Sequence, residues 1–134
     1  MTPAAAVGVI QTALRSVWTS TPIAWPNVDF TPPATGGWLK VDFIWGNGAH
    51  RSHGATRRHS VTGVLQLAIF VPKGTADGAL DTAAETARDI FNGVRLASPN
   101  QDVVFGAASG PVKRFEESWR SAVISIPLQV YESV

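Results

Sequence analysis

The chain is 134 residues long, with 45% hydrophobic and 16% charged residues and a formal net charge of +1. A chain of this size buries roughly two-thirds of its unfolded surface, enough for one ordinary core. Near-neutrality excludes a global field for nucleic acid or membrane, and the absence of cysteine excludes disulfides and thiolate metal sites.

No apolar run approaches the roughly 20 residues of a membrane span, and the N-terminal stretch lacks the positive segment of a secretory signal. A non-membrane protein made in the cytoplasm is expected. Thr2 can cap free N–H groups, and Pro3 is preset for a first helical turn. Val7, Ile10, Leu14, Val17 and Trp18 follow at steps of three and four, which predicts a helix over residues 3–17.

The next stretch, T-P-I-A-W-P-N-V-D-F-T-P-P-A-T-G-G, carries Pro22, Pro26, Pro32 and Pro33 and forbids a helix. Its Ile23, Trp25, Val28 and Phe30 are not linker residues, so an extended segment pinned across the body is expected. W-L-K-V-D-F-I-W at 38–45 alternates, with Leu39, Val41, Phe43 and Trp45 on one side and Lys40 and Asp42 on the other. V-T-G-V-L-Q-L-A-I-F-V at 61–71 alternates again, and consecutive strands of this kind pair as a hairpin. Their connection is long for a hairpin, which predicts a mobile loop over 46–59 that neighbours would order.

Leu80, Ala84, Ala87, Ile90, Phe91 and Val94 form a second helical stripe ending at the glycine of F-N-G. D-V-V-F-G predicts a short strand, A-A-S-G-P a turn, and A-V-I-S-I-P-L-Q-V-Y a long last strand. Pro127 removes a ladder donor there, so an edge position or a bulge is expected. The whole predicts a single α+β domain over 1–134: a mostly antiparallel, twisted sheet with two helices on one face.

H-R-S-H-G-A-T-R-R-H-S at 50–60 holds all three histidines together with Arg51, Arg57 and Arg58. Zinc is disfavoured, because no cysteine exists, no carboxylate lies in the segment and the arginines repel a cation. Ser52 and Ser60 have no G-x-S-x-G elbow and no acid to orient a base. Gly46-Asn47-Gly48 lacks the lysine and helix start of a phosphate loop, and the adjacent Glu116 and Glu117 would point to opposite faces of a strand. No motif supports an enzyme, a cofactor or a metal site. Nucleic-acid binding would rest on the three arginines without an aromatic residue to stack a base, giving weak, salt-sensitive contact.

W-P-N-V-D-F-T-P-P, W-L-K-V-D-F, G-V-L-Q-L-A-I-F-V-P-K-G-T, D-I-F-N-G and the closing W-R-S-A-V-I-S-I-P-L-Q-V-Y-E together resemble the tail terminator proteins of long-tailed phages. The resemblance spans nearly the whole chain and its order of elements. It implies a structural virion protein at the tail-neck junction that forms a hexameric ring on the tail tube and ends tube polymerisation. It also implies docking of the head-completion protein, passage of genome DNA through the ring without sequence-specific binding, and assembly in the host cytoplasm. Another neck or tail-tube component is the alternative. A ring needs two unlike patches that meet between copies. Trp38 and Trp45, at the ends of one predicted strand, and Arg51, His53, Arg57 and Arg58 are the candidate subunit or partner contacts, with plain core packing the alternative for each tryptophan.

Overall fold

The computed structural model describes residues 3–19, 21–26, 28–32, 36–50, 58–74, 77–98, 101–116 and 119–133. In chain order these form α1 (Pro3–Val17), β1 (Ile23–Ala24), β2 (Trp38–His50), β3 (Arg58–Pro72) and α2 (Asp77–Phe91). Then follow β4 (Arg95–Ser98), β5 (Gln101–Phe105), β6 (Ser109–Glu116) and β7 (Trp119–Ser133). The fold is α+β, as the alternating and helical periodicities imply.

One seven-stranded sheet runs in the order β1-β2-β3-β7-β5-β4, with β6 also paired to β7. All pairings except β1 with β2 are antiparallel. Period-two alternation places Leu39, Val41, Leu65, Leu67, Ile69, Ala122, Ile124, Ile126, Leu128 and Val130 on one face, and all are buried. The helices close that face. Ile10, Leu14 and Trp18 from the first helical segment and Leu80, Ala84, Ala87 and Phe91 from α2 join the same buried cluster. Full burial of such side chains contributes about 1.5–3 kcal/mol each before ordering costs. Val17 remains 56% exposed; the end of the α1 stripe is filled instead by Trp18, whose indole N–H donates to Thr21 Oγ1 at 2.8 Å.

Pro127 departs from expectation. It lies in β7, the central strand, flanked on one side by β3 and on the other by β6 and β5 in succession. Pairing with β6 ends at Ser125 and pairing with β5 begins at Leu128. The Pro127 carbonyl accepts the Gly106 N–H at 2.8 Å, so its side of the strand faces the hand-over between those two partners. The missing donor therefore falls where no ladder bond is required, which reconciles proline with a central position.

The long loop expected over 46–59 is corrected in part. Residues 46–50 and 58–59 are strand: β2 passes an irregularity between Trp45 and Gly48 and then pairs Gly48, Ala49 and His50 with Val61, Ser60 and His59. Glycine permits this, since a Cβ at Gly46 would lie 2.8 Å from Thr62 Oγ1. Residues 51–57 lie outside the described residues. The A-A-S-G-P turn is also corrected, because Ser109 already pairs with Ser125 as β6 begins.

On the second face of the sheet, Trp38 stacks on Phe70 at 4.1 Å between centroids, meets Trp119 edge-on at 6.0 Å and touches Phe30 at 5.1 Å. Phe30 thus pins the proline-rich segment across this end, as its aromatic content suggested. Ser121 sits opposite Phe70, fully buried, and its hydroxyl has no hydrogen-bond partner among the described residues. An unsatisfied buried hydroxyl is unfavourable, so Ser121→Ala is expected to stabilise the fold by about 1 kcal/mol. A higher urea midpoint at unchanged slope is the readout.

Candidate assembly surfaces

Strand pairing leaves unlike edges on the two sides of the sheet. β1 covers β2 only at Leu39 and Lys40, so the outer side of β2 from Val41 to His50 has no partner strand among the described residues. On the opposite side, β4 ends the sheet beyond β5. His50, His59, Glu132, Gln101 and Ser98 lie in consecutive register across β2, β3, β7, β5 and β4, so both edges reach the same end. Four antiparallel steps separate β2 from β4; the two edges therefore run in the same direction. Unpaired strand edges are templates for another chain.

Trp38 and Trp45 flank one stretch of β2 on opposite faces. Trp38 belongs to the aromatic cluster on the second face, where its Nε1 is buried with no hydrogen-bond partner among the described residues. Trp45 lies on the helix-covered face, half-buried and parallel to Phe43 at 5.9 Å. Its ring occupies the space over Gly63, its cross-strand partner. Arg58 opens β3 opposite Ser133, while Arg51, His53 and Arg57 lie outside the described residues.

A further feature escapes sequence reasoning. Phe115, in β6, is 72% exposed on the helix side of the sheet, opposite Arg120 in β7. The Arg120 guanidinium lies 4.0 Å above the phenyl centroid. Such a cation–π contact favours one orientation of the exposed ring. Arg114, next in sequence, is exposed on the other face of the sheet, and Lys113 forms an ion pair with Asp81 of α2 at 2.6 Å. In K-R-F-E-E the phenylalanine stands among charges without alternating apolar neighbours, so nothing near it in the chain points to a task.

Among the described residues, no His, Cys, Asp and Glu cluster is arranged to hold a metal. Among the same residues, no helix is long and apolar enough to cross a membrane. Unpaired strand edges and an exposed aromatic ring are surfaces of the kind that other protein chains can contact.

Residues 4–127 match the family model described as phage tail terminator protein. The chain belongs to that family. Members are structural proteins of the phage tail, and their place is the virion. One solved structure shares the fold, with a TM-score of 0.70 at 21% identity, over 92% of this chain and 94% of that chain. At that identity the likeness concerns the fold alone. No curated protein matches the chain. The tail terminator family gives the unlike edges and the exposed aromatic tip a context, since tail components act by fitting against their neighbours.

Proposed function

We propose that this chain closes with copies of itself into a hexameric ring on the end of the tail tube. The ring stops tube polymerisation, presents a surface to the head-completion protein and lets genome DNA pass without reading its sequence. Assembly takes place in the host cytoplasm before the ring becomes part of the virion. The observation that carries this reading is the family match over residues 4–127.

The sheet supports it. A closed ring requires a heterologous contact, one patch against a different patch on the next copy. The β2 edge and the β4 edge are such a pair, at the same end of one sheet and on opposite sides of it. Trp45 on β2, together with Arg51, His53, Arg57 and Arg58 of the segment that joins β2 to β3 in the sequence, would supply side chains for the contact. Guanidinium groups there suit carboxylates on an adjoining subunit or on the tube protein. Trp38, at the other end of β2, is the remaining candidate.

The test mixes the purified chain with polymerising tube subunits of the same phage and follows tube length by light scattering. Tubes held short as the chain is added support termination. Growth at the same rate and to the same length with and without the chain rejects it.

A further inference from the structure

We infer that the Phe115 tip of one copy seats in a groove beside α2 of the next copy. This rests on the ring reading above and names a contact within it. The groove is about 630 Å³ and is lined by Trp18, Gly78, Ala79, Thr82, Ala83 and Thr86. Its lining is apolar in effect. Thr82 and Thr86 turn their hydroxyls back onto the carbonyls of Gly78 and Thr82, at 2.9 and 3.0 Å, and so leave their methyls to face outward.

The occupant follows from charge and direction. The exposed carboxylates of Glu85 and Asp89 stand on the solvent side of the groove, and the Arg120 guanidinium lies over the Phe115 ring. An apolar ring with a basic neighbour thus matches an apolar slot with an acidic rim. The chain cannot fill its own groove. With about 100° between successive helical residues, Asp81 lies on the flank of α2 opposite Ala79, Thr82, Ala83 and Thr86. Asp81 is held by Lys113 of β6, two residues before Phe115, so the tip belongs to that opposite flank. A tip on one flank and its slot on the other give a head-to-tail contact, in the sense that closes a ring. The tip is also ready-made: Arg120 over the ring favours one orientation before any partner arrives, which lowers the ordering cost of docking.

The absence of cysteine makes the test direct. Phe115→Cys and Thr82→Cys are made in separate chains, both at exposed positions, and each is checked for wild-type circular dichroism. Oxidation of the mixture should give a disulfide dimer of the two different chains, well above what either gives alone. In sedimentation, Phe115→Ala should associate roughly 30-fold more weakly than wild type, the loss typical of a buried aromatic anchor. Ring-sized species without the mixed disulfide, together with unchanged assembly of Phe115→Ala, would overturn the contact while leaving the ring intact. Normal rings of Phe115→Ala that no longer cap tubes would assign the tip to the tube protein instead, and overturn it too. A wild-type chain that stays monomeric with and without tubes would remove the ring and this contact together.

Discussion

Replacing Phe91 with alanine is expected to destabilise the protein by about 3–5 kcal/mol, a large part of the total stability of a chain this size. Phe91 is 1% exposed and stacks on Phe105 of β5 at 4.7 Å between centroids. It is the last residue of α2, where several tethers converge. The Gly93 N–H donates to the Gly106 carbonyl at 3.1 Å, the Phe105 N–H to the Val94 carbonyl at 2.8 Å, and the Ala108 N–H to Asn92 Oδ1 at 2.9 Å. Gly93, with φ of 69°, provides the left-handed turn that brings the chain from α2 into β4. With that density of fixed backbone, the surroundings cannot collapse into the space a lost phenyl ring leaves, which places the cost high in its range. Urea midpoints of wild type and variant, with equal slopes, measure it. A loss below about 1 kcal/mol would show that α2 is not anchored there.

Gly63→Ala is the second large effect, at about 1–3 kcal/mol. A Cβ at residue 63 would lie 2.7 Å from Trp45 Cε3 and 3.0 Å from the Ile44 carbonyl oxygen. The indole, being half-buried, must give way, and the tight backbone contact makes β2 and β3 adjust as well. The cause is separable by a double-mutant cycle. If the clash is with the indole, Gly63→Ala should cost much less in a Trp45→Ala background, with a coupling of at least about 1 kcal/mol. Equal cost in both backgrounds would place the strain in the backbone. The same variant bears on assembly: if Trp45 contributes to subunit contact, moving its ring should weaken association along with stability.

Much of the fold was legible because its strongest elements are strongly periodic. The first helix and the alternation of β2, β3 and β7 follow from one-sided burial, and the aromatic residues of the proline-rich segment foretold its pinning. The failures have local causes. β4 is four residues long and β6 carries Gly110 and Pro111 just after its first residue, so neither displays enough alternation to be read. Pro127 suggested an edge or a bulge because a proline normally breaks a ladder. Which pairings surround it is a long-range fact, and the hand-over from β6 to β5 is invisible in the residues near it. The Gly46–Gly48 stretch read as the start of the 46–59 loop because its glycines serve a close strand crossing and a loop equally well.

The candidate surfaces were legible to a smaller extent. Trp45 and Trp38 were drawn out by their number and place on β2, and the structure adds that they occupy opposite faces. Phe115 was missed because exposure cannot be read from a lone phenylalanine among charges. The groove beside α2 was missed for a different reason: Ala79, Ala83, Thr82 and Thr86 look like ordinary helix surface until Trp18 is placed next to them.

The central claim, that this chain acts by capping a growing tube, is tested most directly by electron microscopy of tubes assembled in its presence. Short tubes whose tips each carry one ring of density, reproduced in proportion to added chain, are the predicted result. Long tubes with bare tips, indistinguishable from those grown alone, would contradict it.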